Sequence, residues 1–200
     1  MAPHFESVKS FADVNITDAG VHTDDFLLAS DGLVRMFDLL GVGVFGFVQA
    51  DLKNNIAGVR AEYDSDAARA QSNTLESLAR QAHARGVKYP NQCLVRLIRC
   101  MAFACLALQI MQAEPECTLP VCFRRSYDVV LRHHHTFVVR SAITLAIRTV
   151  LTRDQFIARL SEGADNEEKF NTELNRWLAG LDTIVQRTKT FLAESGYGRV

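Results

Sequence analysis

The sequence lacks a dominant sign of charge. Across 200 residues, 22 lysines and arginines face 23 aspartates and glutamates, for a formal net charge of −1. A general nucleic-acid binder needs a basic excess to neutralise phosphates, so that class is excluded, although a local basic patch is not. The chain also lacks any run of about 18 apolar residues free of charge, which a membrane-spanning helix would need. Arg140 and Arg148 interrupt even the greasy segment "FVVRSAITLAIRTVL". The opening "MAPHFESVKSFADVN" carries acids and no unbroken apolar core, so no secretory leader is expected. Sustained alternation of apolar and polar residues is missing too, which argues against a sheet. There is no glycine-rich phosphate loop, no nucleophile elbow and no H-E-x-x-H, so neither an enzyme nor a cofactor is expected. The cysteines number five, an odd count, and Cys93, Cys100 and Cys105 share one apolar segment. They read as reduced, buried thiols of a cytoplasmic protein, and their setting raises rather than lowers a thiol pKa. "CTLPVC" is able to close a small loop on oxidation, but its spacing fits no zinc knuckle.

What is present is apolar and helical. At 48% hydrophobic residues, the chain can bury a full core as one domain over residues 1–200. The periodicity predicts about eight helices, over roughly 4–14, 23–40, 43–63, 66–84, 90–113, 121–151, 153–161 and 166–195. Thr23 followed by Asp24 and Asp25 has the form of an N-cap with an acidic first turn, and Thr152 opens a short helix in the same way. Gly86 and Pro90 stop one helix and start the next. "CLVRLIRCMAFACLALQIM" and "FVVRSAITLAIRTVL" are apolar over more than one stripe, as helices in the middle of a fold are. Two central helices of this kind suggest a layered helical sandwich. They either pack as core or wall an apolar cavity.

Several polar residues interrupt these helices. Asp51 and Asn55 stand at i and i+4, bordering the apolar stripe of Phe45, Val48, Leu52, Ile56 and Val59. Gln92, Arg96 and Arg99 follow i, i+4, i+7 spacing on the fifth helix, with Arg96 between Val95 and Leu97. An Asp51–Arg96 ion pair and a solvated Asn55 would account for them structurally. The triple histidine at 133–135 cannot converge on one metal if it is helical, because successive residues point about 100° apart. No metal site is expected. His135 is the one expected to face inward, since Leu131, Val138 and Val139 fall at i−4, i+3 and i+4, with His133 and His134 nearer the surface.

The segments "VQADLKNNI", "RLIRCMAF" and "SYDVVLRHHHTFVVRSAI" resemble the glycolipid transfer protein superfamily over about Phe26 to Leu160. "HTFVVRSAITLAIRTVLTRDQF" looks most like its ceramide-1-phosphate transfer proteins. The resemblance implies an all-α, two-layer helical sandwich that carries one sphingolipid. Asp51 matches the family aspartate that accepts from the ceramide amide and sphingoid hydroxyl, and His135 the histidine that donates to the amide carbonyl. Asn55 falls where glycolipid-selective members contact the first sugar, and Arg96 where phosphate-selective members place an arginine. Gln92 stands where those members have a second arginine. The chain's one tryptophan, Trp177, lies far from the position of the sugar-stacking tryptophan. The head-group signals are therefore mixed, with Arg96, assisted by Arg99 or Arg60, favouring ceramide-1-phosphate or a related anionic sphingolipid. A neutral glycosphingolipid is the alternative cargo, and a sphingolipid sensor or adaptor using the same pocket is the alternative role.

A carrier needs an apolar sleeve. Phe45, Phe47, Phe103, Leu106, Ile110, Leu131, Val139, Ile143 and Ile147 are the residues expected to line it, and each is equally able to be ordinary core. It must also touch a bilayer briefly from the cytoplasm, as a peripheral protein. Phe137, Val150 and Leu151 are candidates for shallow insertion, and Arg85 and Lys88 for meeting anionic heads.

Overall fold

The computed structural model describes residues 3–41, 45–65, 73–164 and 166–200. It is an all-α, two-layer helical sandwich with nine α-helices among these residues. They are α1 (His4–Ser7), α2 (Thr23–Leu39), α3 (Gly46–Tyr63), α4 (Leu75–Ala84), α5 (Tyr89–Ala113), α6 (Leu119–Val130), α7 (Phe137–Arg148), α8 (Arg153–Leu160) and α9 (Glu167–Glu194). A two-stranded antiparallel hairpin, Ile16–Thr17 with Gly20–Val21, precedes α2.

The helix signals act through local chemistry. Thr152 and Thr74 each close a capping box, at the starts of α8 and α4, and the Asn166 side chain accepts from the Lys169 N–H at the start of α9. Proline stands in the first turns of α5 and α6, where a missing N–H costs nothing. For α2 the cap is His22 rather than Thr23, and Asp24 and Asp25 supply the acidic first turn.

α5 sits at the centre, flanked by α3, α6 and α9. It is long and apolar enough to cross a membrane by composition alone, but 67% of its apolar window is buried in the fold, as in a core helix. A continuous core runs through it. Phe45 packs between Phe37, edge-on, and Phe123, tilted, at 5.7 and 5.8 Å, and Phe103 lies 5.5 Å from Phe123. The Ser126 hydroxyl donates to the Phe103 carbonyl at 2.7 Å, fastening α6 to α5.

Three predicted helices differ. The span 4–14 holds α1 and then a separate 3-10 turn, Phe11–Asp13, capped by Ser10. In the span 66–84, helix begins at Leu75, and residues 66–72 lie outside the described set. Most consequentially, 121–151 is not one helix. α6 ends at Val130, a 3-10 turn follows over Arg132–His134, His135 is extended (φ −107°, ψ 144°), and α7 restarts at Phe137. A break leaves backbone groups without intrahelical partners. Here the Arg140 Nε–H donates to the Arg132 carbonyl at 2.9 Å, so a side chain from the next helix satisfies one of them.

Candidate functional site

A cavity of about 360 Å³ opens between α3, α5, the break and α7. α3 contributes Phe47, Val48 and Asp51; α5 contributes Arg96, Arg99 and Cys100; the break contributes Leu131, His134 and His135; α7 contributes Val139 and Ile143. Asp51, Arg96, Arg99 and His135, four of the six predicted head-group residues, thus line one cavity. The other two do not reach it. Asn55 is buried with its side-chain N–H donating to the Asp51 carbonyl at 2.7 Å, so it braces the α3 turn that carries Asp51. Gln92 is exposed and lies off the cavity.

The charged groups at the mouth are unequally engaged. Among the described residues no ion pair joins Asp51 to Arg96, so the structural-pair reading of these two is not what the geometry gives. Arg96 is exposed. Arg99 donates from Nε to the Arg199 carbonyl at 2.9 Å, and burial followed by the nearby Arg96 charge lowers its pKa.

The histidines differ from the helical expectation. His134 faces the cavity beside His135, so two imidazoles point inward and only His133 stays exposed. The cause is the break. A 3-10 turn advances about 120° per residue, and the extended backbone at His135 then re-aims the chain. His134 is held at a pKa of about 4, by burial first and then by Arg99 and its neighbouring histidines, and its Nε2 is buried without a hydrogen-bond partner. Burial also lowers the pKa of His135. The Asp51 carboxylate pulls the other way and Arg140 adds to the lowering. Both rings are neutral at pH 7, each with one donor and one acceptor nitrogen. Tyr127, which the sequence reading did not single out, places its hydroxyl 3.3 Å from His135 Nδ1 with the two rings stacked. A hydroxyl donating to Nδ1 leaves the ring hydrogen on Nε2. The Cys100 thiol on the wall is pushed well above its ordinary pKa by burial and by Asp51, so it stays protonated.

Of the predicted sleeve, Phe47, Leu131, Val139 and Ile143 line the cavity. Phe45, Phe103 and Ile147 are fully packed core, while Leu106 and Ile110 are half-buried and off the cavity wall. Apolar helix positions serve a core and a cavity equally well, and here the core takes Phe45, Phe103 and Ile147. Among the membrane-contact candidates, Phe137 is 80% exposed and Lys88 is exposed. Val150 is buried, and Leu151 is half-buried with its N–H directed at the Leu40 carbonyl, so neither is free to insert. Arg85 is engaged by the buried Glu62. No group of three His, Cys, Asp or Glu side chains among the described residues is arranged to hold a metal ion.

A model of the glycolipid transfer protein family matches residues 21–162. The chain is 32% identical to the glycolipid transfer protein of Aureobasidium melanogenum over 190 residues, 94% of this chain and 92% of that one. It superposes on the crystal structure of HET-C2, a fungal glycolipid transfer protein, with a TM-score of 0.87 and 33% identity, covering 95% and 96% of the two chains. The apo mouse ceramide-1-phosphate transfer protein has the same fold, with a TM-score of 0.87 at 20% identity and 98% coverage of both chains.

Proposed function

As the chain belongs to the glycolipid transfer protein family, we propose that it is a non-enzymatic carrier that moves one sphingolipid between membranes. The observation that carries this reading is that Asp51 and His135 line one cavity, close enough for the carboxylate to act on the imidazole, beside the apolar Phe47, Val48, Leu131, Val139 and Ile143. A ceramide amide has one donor and one acceptor, and leaving either unpaired costs about 1–3 kcal/mol. The Asp51 carboxylate accepts from the amide N–H, and His135, neutral and bonded through Nδ1 to Tyr127, donates from Nε2 to the amide carbonyl. The tails follow Leu131, Val139 and Ile143 inward. Each CH₂ kept from water is worth about 0.8 kcal/mol, so the apolar wall holds the tails as well as a bilayer does only if it covers most of their length. Phe45 and Phe103 are packed core rather than lining, so neighbouring helices must part as the tails enter.

For the head group the reading is an anionic sphingolipid such as a phosphorylated ceramide. Two guanidiniums, Arg96 and Arg99, stand beside Asp51, and arginine offers a planar fork to a phosphate. A neutral glycosphingolipid is the second reading, supported by the names of the relatives at 32% and 33% identity. Transfer between vesicles, measured with labelled ceramide-1-phosphate, glucosylceramide and lactosylceramide, tests both. Asp51→Val and His135→Leu should each abolish transfer of the favoured lipid while the helical circular dichroism and melting temperature are kept. Wild-type transfer rates in both variants would show that the site is elsewhere.

A further inference from the structure

A second concavity, on the far side of Tyr127 from the cargo cavity, carries a concentration of positive charge that the carrier reading leaves unused. It is a groove of about 370 Å³ between α6 and α7, and Arg124, Arg132, Arg140 and Arg148 all line it. The chain as a whole has a net charge of −1, and several arginines elsewhere are paired one to one with a carboxylate: Arg60 with Asp31, Arg125 with Glu114, Arg187 with Glu76. Here four guanidiniums meet one carboxylate, Asp128, which bridges Arg132 at 3.1 Å. Arg124 reaches only the neutral Thr144 hydroxyl, Arg140 a backbone carbonyl, and Arg148 has no hydrogen-bond or ion-pair partner among the described residues. The same groove exposes large apolar side chains. Phe137 is 80% exposed and Leu145 65%, and Val138 beside them is 75% exposed.

We propose that the α6–α7 groove is a binding site for the phosphate of an anionic phospholipid in a bilayer, with Phe137 and Leu145 entering the interface beside it. Unmatched guanidiniums alone would suit any anion. Exposed phenylalanine and leucine in the same groove select a ligand that presents phosphate and hydrocarbon together, which is a membrane surface. Tyr127 lines the groove and bonds His135 in the cargo cavity, so a bilayer docked here lies against the cavity mouth. The inference needs only that the protein meets membranes, and it stands on residues other than those that grip the cargo.

Flotation of the purified protein with phosphatidylcholine vesicles, with and without phosphatidic acid, tests it at low and high salt. The wild type should favour the anionic vesicles, and salt should erase the preference. Each basic residue near an anionic surface contributes roughly a fivefold preference, so Arg124→Gln combined with Arg148→Gln should lower partition to anionic vesicles roughly 20- to 30-fold and leave phosphatidylcholine binding unchanged. Arg132→Gln with Arg148→Gln should behave alike, whereas Arg140 is left in place because it holds the break. Asp51→Val should float as the wild type does while failing in transfer. Equal partition of the wild type to both vesicle types would overturn the proposal, as would an undiminished anionic preference in both double variants. So would displacement from vesicles by millimolar inorganic phosphate, since the site would then take a free anion. None of these results touches the Asp51–His135 cargo site, whose failure would appear in the transfer assay alone.

Discussion

His4 makes a quantitative test of the fold at acid pH. Its ring is 8% exposed, packs edge-on against Phe5 at 5.1 Å, and has a buried Nε2 without a hydrogen-bond partner. Burial first, and the Arg35 charge second, hold its pKa at about 4, against 6.5 for a free histidine. The folded state therefore binds fewer protons than the unfolded chain between these values, so acidification favours unfolding. The contribution is complete above pH 6.5 and is lost as pH falls toward 4. Linkage between the two pKa values removes about 2 kcal/mol between pH 7 and pH 5, and about 3 kcal/mol by pH 4. His4→Phe keeps an aromatic ring against Phe5 and removes the titrating group. At pH 7 the variant should be at least as stable as the wild type, because the unpaired buried nitrogen is gone. Urea unfolding followed by circular dichroism at pH 7 and pH 5 reads the difference. With a slope of about 2 kcal/mol per M, the wild-type midpoint should fall about 1 M further than the variant's over that interval. His134 and His135, whose pKa values burial also lowers, are present in both proteins and cancel in the comparison. A pH-induced loss equal in the two proteins to within about 0.5 kcal/mol would refute the burial of a neutral imidazole at this position.

Arg96→Leu should weaken capture of ceramide-1-phosphate by roughly 10- to 150-fold, the worth of a charge-assisted hydrogen bond, and leave glucosylceramide nearly unaffected. A competition panel reads this, and unchanged selectivity would remove Arg96 from the head-group site. Tyr127→Phe keeps the buried ring and deletes the hydroxyl at His135 Nδ1, and should cost about 1 kcal/mol of sphingolipid affinity without lowering the melting temperature. Gly180→Ala tests the docking of α9. Its methyl would fall on the Ala12 backbone and 2.5 Å from the Phe11 carbonyl carbon, so the variant should lose about 3 kcal/mol and roughly 6–12 °C of melting temperature. At Gly46 nothing lies within 4 Å of an added methyl, and alanine there should be neutral or slightly stabilising.

Much of the fold was readable because its helices carry their own signals. Thr152 and Pro90 mark starts through groups within three residues, so a linear reading finds them. The break after α6 was not readable in that way. It contains no glycine or proline, and it is sustained by a bond from Arg140 to the Arg132 carbonyl, eight residues back across a bend that the bond itself helps to hold. The site was legible where single polar residues interrupt apolar helices, as Asp51 and Arg96 do. It was not legible at His134 and Tyr127, because the assumption of one continuous helix allowed only one imidazole to face inward. The tail-lining residues show a different limit. Phe45 and Phe103 satisfy the same hydrophobic pattern as Val139 and Ile143, and only packing against Phe123 decides that the first two are core.

The break also explains why one edge of the protein gathers both polar sites. Had residues 121–151 formed a single helix, successive side chains would have spread around its circumference, and His134 and His135 would have faced about 100° apart. Ending α6 at Val130 and restarting at Phe137 turns the chain, so α7 lies beside α6 with its arginines toward Arg124 and its apolar Val139 and Ile143 toward the cargo cavity. Arg140 both closes the break and lines the groove, and Tyr127 both lines the groove and bonds His135. On the proposed function, contact with a bilayer and grip on a ceramide amide are set by the same turn. A substitution that straightens it, such as Arg140→Ala, should weaken both together, whereas Asp51→Val and the Arg124→Gln, Arg148→Gln pair each remove one and spare the other.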